Sequence, residues 1–540
     1  MRLIGPLSTV GLLLGTLFFA FSLTPSLVPR PFAFQGVLSG LSLTAGYAIG
    51  AGLSTLWHYL QLPELRGRLE RIVRWLAVAG CALVAVIFMW RAAGWQDAVR
   101  AQMELEPAGG LPPVGAALVA LLVFAAALLL ARLFRGTFRF LSLRLQRYIP
   151  PRVSHLAGIV VAVGLFWAVI DGVLFTMALR AADSSYQQVD ALIEADQERP
   201  SEPERAGSPD SVVAWRDLGR QGRSFVSSGP TATELKAFLG EPAPTPIRIY
   251  IGLNAAETPE ERAQLAMDEL HRTDAFDRSV LVLATPTGTG WIDPAAADPV
   301  EYLHRGDIAT VTAQYSYLPS PLALMVEGSY GAEMARALFE AVYGHWQTLP
   351  EDERPALYLH GLSLGALNSD RAFDVFDIIQ DPFDGALWSG PPFRSETWRT
   401  VTQRRDAGSP AWLPEFREGE VVRFMNQETG LDAANGDWGT FRLAFLQYAS
   451  DPITFFSPSI LYREPDWMAE PRGPDVTSEL RWYPVVTMLQ LAADMAAGGA
   501  PPGYGHTYAA EDYIDAWVAL TEPDDWSRDD LKRLRQAFRR

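Results

Sequence analysis

Five apolar stretches fill much of the first 180 residues: Leu7 to Val28, Phe34 to Trp57, Ile72 to Trp90, Val114 to Phe134 and Leu156 to Leu179. At about 1.5 Å per helical residue, each is long enough to cross a hydrocarbon core of roughly 30 Å. One arginine precedes the first stretch and four more stretches follow it, so it reads as a retained span and not a cleaved signal. Arg66, Arg68, Arg71 and Arg74 lie between the second and third spans; Arg132, Arg135, Arg139, Arg144, Arg147 and Arg152 lie between the fourth and fifth. Cation-rich short loops stay cytoplasmic, which places both loops inside and, after five spans, the C-terminal part outside. The expected location is therefore a cell inner membrane, multi-pass, with the C-terminal part in the periplasm or exterior. Trp57, Trp90 and Trp95 fall near span ends, where amphipathic rings anchor at the interface. Asp171 is the one carboxylate inside a span, either a substrate path or proton relay or a group paired with a buried arginine or serine.

Charge divides the chain at the same place. Residues 1 to 180 hold 15 Lys+Arg against 6 Asp+Glu, and the remainder holds 30 against 56. The single cysteine, Cys81, excludes an intrachain disulfide and reads as a small core residue. From 181 to 245 the chain is polar, with Glu198-Arg-Pro-Ser-Glu-Pro-Glu-Arg-Ala-Gly-Ser-Pro-Asp210 at its centre, and predicts a mobile linker. Residues 246 to 540 then alternate strand-like and helix-like patterns: strands at Ile247 to Gly252, Val280 to Ala284 and Ile308 to Tyr317, helices around Pro259 to Arg272 and Ala332 to Trp346. That alternation predicts a mostly parallel sheet covered by helices. The domains expected are thus 1–180, five transmembrane helices; 181–245, linker; and 246–540, an α/β domain.

The centre of the α/β part is Pro355-Ala-Leu-Tyr-Leu-His360-Gly361-Leu362-Ser363-Leu364-Gly365. A short apolar run leads into Gly-x-Ser-x-Gly, and a helical pattern follows. A serine on a sharp strand-to-helix turn needs small residues two positions either side, and Gly361 and Gly365 supply them. In this setting the partners follow in the order serine, acid, histidine. Of seven histidines only His506 follows Ser363; it lies in the loop Pro501-Pro-Gly-Tyr-Gly-His506 and is the expected general base. Twelve aspartates lie between the two, and Asp451 is favoured because the apolar strand Leu443 to Ala449 ends there and Pro452 stops it; Asp432 is next. His360 reads as packing behind the nucleophile.

Leu364 N–H is the first expected oxyanion donor. The second falls on the loop Thr285-Pro-Thr287-Gly288-Thr289-Gly290-Trp291, with Thr287 and Gly288 as candidates and Trp291 as a wall of the acyl pocket. That loop lacks the Gly-Lys-Ser/Thr of a phosphate loop. No His pair at ligand spacing occurs in this domain, and neither metal, cofactor nor nucleic acid is expected.

Taken together, Gly219-Arg-Gln-Gly-Arg-Ser-Phe-Val226, Ala284 to Pro294, Gln314-Tyr-Ser-Tyr-Leu-Pro-Ser320, Gly361 to Gly365, Gln447 to Pro452 and Gly505-His506 resemble the bacterial membrane-anchored α/β-hydrolases with a multi-helix N-terminal domain. The resemblance spans nearly the whole chain and implies serine hydrolase chemistry without supplying a substrate. Two departures stand out: a helix separates the first two strands, and no strand is apparent between Asp451 and His506, where Val485 to Ala497 looks helical. The expectation is a membrane-tethered esterase or lipase acting on an acyl ester, a lipid or envelope ester, through an acyl-enzyme on Ser363. Two alternatives stay open: an acyltransferase using the same acyl-enzyme, and a non-catalytic transport or envelope protein whose hydrolase-like domain only binds.

Overall fold

The computed structural model describes residues 7–63, 67–107, 113–146, 150, 160–161, 163–164, 190, 197–319, 323, 329–469, 471–497 and 499–539. The chain forms two units. One comprises Met1–Ala181, Phe456–Ala469 and Asp475–Ala500; the other comprises Ala182–Phe455, Glu470–Pro474 and Pro501–Arg540.

The helical unit contains α1 (Thr9–Ser22), α2 (Phe32–Tyr59), α3 (Gly67–Gln102) and α4 (Pro113–Leu145), and glycines set how closely α2 approaches α1 and α4. Gly15 of α1 and Gly50 of α2 face the partner backbone: a Cβ on Gly15 would lie 2.8 Å from the Leu43 carbonyl oxygen, and one on Gly50 2.7 Å from that of Val10. Gly36 and Gly40 do the same for α4, where a Cβ would meet those of Val119 and Val123 at 2.5 and 2.6 Å. Small residues four apart permit such backbone contact where apolar surroundings give no drive to associate. Phe32–Tyr59, Gly67–Gln102 and Val114–Arg144 are each long and apolar enough to cross a membrane and are compatible with an anchor. The first expected span is corrected: α1 has 14 residues, about 21 Å, and the chain after it, Leu23 to Arg30, is buried as a non-helical segment. Of the fifth stretch, Leu156 to Leu179, only residues 160–161 and 163–164 are described, and Asp171 lies outside the described residues. The described part of this unit therefore carries three candidate spans where the sequence predicts five.

The second unit grows from seven short apolar runs: β1 (Ile247–Ile251), β2 (Val280–Thr285), β3 (Ile308–Ala313), β4 (Ala356–Leu362), β5 (Gly385–Ser389), β6 (Val422–Met425) and β7 (Arg442–Leu446). They pair in parallel in the order β1-β3-β2-β4-β5-β7-β6. Nearly every strand residue is buried, as a sheet covered on both faces requires. The helices are α5 (Gly219–Ser228), α6 (Ala232–Leu239), α7 (Pro259–Arg272), α8 (Pro294–Leu303), α9 (Tyr330–Trp346), α10 (Leu364–Asp370), α11 (Glu396–Gln403), α13 (Ala510–Thr521) and α14 (Arg528–Phe538); α12 (Val486–Ala497) belongs to the helical unit. Thr258 and Glu261 close a capping box with Pro259 in the first turn, so α7 starts where it does and separates β1 from β2 as expected. On α13, Tyr513, Trp517 and Leu520 pack with Tyr358, Leu387 and Leu446 of the sheet, and the Trp517 indole N–H donates to the Ala296 carbonyl of α8 at 3.1 Å. Each such side chain taken from water stabilises the fold by roughly 1.5–3 kcal/mol.

The mobile linker expected over 181–245 is also corrected where the chain is described. Arg205, buried, donates to the carbonyls of Val226 and Pro230 at 2.9 and 2.8 Å, and Arg199 to those of Gly207 and Ser208 at 2.6 and 2.8 Å. The buried Glu269 carboxylate accepts the Val212 N–H at 2.6 Å. Charge-assisted bonds, which hydropathy does not register, order a segment with little apolar surface.

Candidate active site

β4 ends at Leu362, and Ser363 follows at φ 58°, ψ −121°, in the positive-φ region that L-residues seldom adopt, before α10 begins. A Cβ on Gly361 would stand 2.4 Å from the Gly365 carbonyl carbon, and one on Gly365 2.2 Å from the Thr285 oxygen. The turn thus excludes larger residues at both positions, the requirement anticipated from the motif. Ser363 N–H donates to the Ser389 carbonyl at 2.9 Å, which ties the turn to the end of β5. As the first residue of α10, Leu364 has no intrahelical acceptor for its N–H, and it donates to no other group among the described residues.

β7 delivers Asp451 to the neighbouring strand end. Its carboxylate is fully buried and accepts from His506 Nδ1 at 2.7 Å, the Tyr508 hydroxyl at 2.7 Å, Ile453 N–H at 2.8 Å and the Thr454 hydroxyl at 3.2 Å. That contact assigns the proton to Nδ1. His506 Nε2 is buried and has no hydrogen-bond partner among the described residues. Burial and the Asp451 charge push the Tyr508 phenol well above its usual range, so it remains a donor to the carboxylate.

Among the described residues no strand lies between Asp451 and His506. The sheet edge beside β7 is taken by β6, which precedes β7 in the chain and was not anticipated; at four residues it is too short to show a period. Hydrogen bonds fix the histidine loop instead: Gly505 N–H donates to Ser450 Oγ at 2.8 Å, Gly503 N–H to the Thr507 carbonyl at 2.9 Å, and Ala509 N–H to the Tyr448 hydroxyl at 3.0 Å. Gly503 and Gly505 take φ of 93° and 58°. Gly390, next to Ser389, is the floor beneath the imidazole, where a Cβ would come within 2.6 Å of His506 Cε1. The residue pair Ser389–Gly390 thereby connects the serine turn to the histidine.

The expected oxyanion loop follows β2, whose last residue pairs with Gly361. In that loop Thr287 N–H donates to the Trp291 carbonyl at 3.0 Å and is spent inside the loop. Tyr250 donates its hydroxyl to the Gly290 carbonyl at 2.8 Å and braces the loop from β1. Trp291 is 37% exposed. His360 lies behind the turn, its Nδ1 2.9 Å from the Leu387 carbonyl, and burial lowers its pKa to about 4. Sequence reasoning missed Tyr508, Gly390 and Asp293. Asp293 caps α8 by accepting Ala295 N–H at 2.9 Å; burial raises its pKa to about 6, with Ala295 N–H and the nearby His506 pulling the other way. Asp432, the runner-up acid, sits in a short turn at Leu431–Ala433 and makes no bond to His506. Among the described residues, no three His, Cys, Asp or Glu side chains converge to hold a metal.

The model of an alpha/beta-hydrolase family matches residues 247–534, and that of its N-terminal region matches residues 23–230. The chain belongs to the alpha/beta-hydrolase family. No curated protein and no solved structure matches it. Within this hydrolase-family fold, Ser363, Asp451 and His506 all stand at the carboxyl ends of adjacent strands β4, β5 and β7 or on the loop bonded there, where parallel sheets gather their chemistry.

Proposed function

We propose that this protein is a membrane-tethered serine hydrolase cleaving an acyl ester through an acyl-enzyme on Ser363. The observation that carries the reading is His506, held at 2.7 Å by a fully buried Asp451 through Nδ1 and seated over Gly390, while Nε2 has no hydrogen-bond partner among the described residues. Ser363 Oγ attacks the acyl carbon as Nε2 takes its proton. Leu364 N–H and a second donor from the loop after β2 receive the oxyanion, and the imidazolium protonates the leaving alkoxide. Water then reverses these steps, releasing the acid and restoring Ser363. Asp451 keeps the imidazole in the required tautomer and stabilises the charged form. Three apolar helices compatible with an anchor favour a lipid or envelope ester as substrate.

The test is labelling of the detergent-solubilised full chain with a fluorophosphonate probe, followed by competition with short- and long-chain esters. Labelling of the wild type, its absence in Ser363→Ala and strong slowing in His506→Ala are expected. A folded wild type that does not label would defeat the proposal.

A further inference from the structure

Along α2, Gly36, Gly40, Thr44, Ala48 and Gly52 recur at every fourth residue and form one row that winds slowly round the helix. The first two are closed against α4, where an added Cβ would collide with Val119 and Val123. Gly52 is not: a Cβ there would meet nothing within 4 Å. Because Gly36 meets Val119 and Gly40 meets Val123, α2 and α4 run in the same direction. Past this contact they part, and between them opens a groove of about 600 Å³, lined by Ala48, Ala51 and Gly52 of α2 and by Ala127 and Ala131 of α4.

The walls of this groove are hydrocarbon. Thr44 and Thr55 line it, but their hydroxyls donate back along α2, to the carbonyls of Gly40 at 2.7 Å and Ala51 at 2.8 Å. The Tyr47 hydroxyl accepts Ser8 N–H at 3.3 Å. Among the described residues that line the groove, Arg135 is the one charge; it is exposed and has no ion-pair partner among them. At 1.5 Å per residue it lies about 16 Å along α4 from Phe124, which also lines the groove. That distance is close to one leaflet of a hydrocarbon core of roughly 30 Å. A molecule whose polar end rests on Arg135 therefore reaches Phe124 near the bilayer midplane.

A slot that is apolar along its length and cationic at its mouth complements a lipid with a net negative headgroup, and basic pockets between membrane helices bind such headgroups. We propose that the groove between α2 and α4 holds an acyl chain of an anionic phospholipid whose phosphate rests on Arg135. A zwitterionic headgroup is disfavoured, because it brings its own cation to a run of α4 that already carries Arg132, Arg135 and Arg139. The site is built from α2 and α4 alone and requires only that these two helices lie in a bilayer. It does not depend on the reading of Ser363, Asp451 and His506 as a triad.

The experiment is native mass spectrometry of the full chain, solubilised in a mild detergent and exposed to an equimolar mixture of dioleoyl phosphatidylglycerol and dioleoyl phosphatidylcholine. Wild type should retain one phosphatidylglycerol in preference to phosphatidylcholine. Arg135→Gln should lower that preference about fivefold, the scale of one arginine at an anionic surface. Gly52→Leu fills the open part of the groove without displacing a neighbour and should abolish retention, while Gly80→Leu on α3, equally open and outside the groove, should leave it unchanged. Equal retention of the two lipids by wild type, wild-type retention by Gly52→Leu, or loss of retention in Gly80→Leu overturns the proposal. So does a wild type that keeps neither lipid; a dimeric mass then points to a second copy in the groove, and a monomeric mass to the fifth apolar stretch of the chain itself.

Discussion

Arg248 and Arg30 are both fully buried cations, one in each unit, and they are held in opposite ways. On β1, Arg248 donates to both oxygens of Glu301 at 2.6 and 3.0 Å, to Asp298 at 2.6 Å and to the Phe225 carbonyl at 2.8 Å. Among the described residues the Arg30 side chain has Asp494 alone. The contrast extends beyond arginines. Asp451 accepts from four residues, and the loop after β2 is braced by Tyr250, whereas α1, α2 and α4 rely on glycines in backbone contact and a handful of polar bonds. Redundant polar bonding keeps groups still when any one bond fails. A single pair fixes a register and can be undone by one substitution.

The largest effect should come from the one bond in the redundant region that has no substitute. Asp451→Asn leaves the carboxamide to be held by Tyr508, Ile453 and Thr454 but favours the wrong imidazole tautomer. Turnover of an ester should fall by about 10⁴-fold, with the melting temperature little changed. Next come the two arginines. Removing one partner of a buried pair costs ~3–5 kcal/mol, and redundancy places Glu301→Gln toward the lower end and Asp494→Asn toward the upper. Equal losses in chemical denaturation would break the comparison. Smaller again is Gly390→Ala, whose methyl displaces the His506 ring: a fall in activity of about 100-fold, read in kcat at unchanged labelling stoichiometry. The smallest is a pH effect. The Asp293 pKa of about 6 lies above the usual carboxylate value of 3.8. The unfolded chain therefore loses its proton first, and stability falls as pH rises from 4 to 6. Asp293→Asn should match wild type at pH 4 and exceed it at pH 7 by on the order of 1 kcal/mol, one pKa unit being worth ~1.4. Thermal melts at the two pH values would show it.

Much of the α/β unit was legible because its signals are local. Strand runs near Ile247, Val280, Ile308, Ala356 and Leu443, and the Gly-x-Ser-x-Gly turn, declare themselves within a few residues, and chain order with a single downstream histidine singled out His506. The Asp451–His506 contact joins residues 55 apart in sequence through a loop without periodicity, so only elimination reached it. Gly390 and Tyr508 carry no signal until the fold brings them under and beside the imidazole. The region from 197 to 245 misled because arginine-to-carbonyl bonds order a segment that hydropathy reads as solvated. The stretch Leu7 to Val28 misled in the opposite sense: apolar enough to span, it folds as a short helix and a buried turn.

At Ser363 the backbone sits at φ 58°, a conformation that costs a non-glycine residue on the order of 1–3 kcal/mol. That cost is present in every copy, with or without substrate, and a chain shaped for folding alone would place glycine there. On the proposed function, serine at 363 exchanges thermodynamic robustness for reactivity. The turn between β4 and α10 is less stable than the surrounding sheet allows, and the rest of the α/β unit supplies the margin that tolerates it.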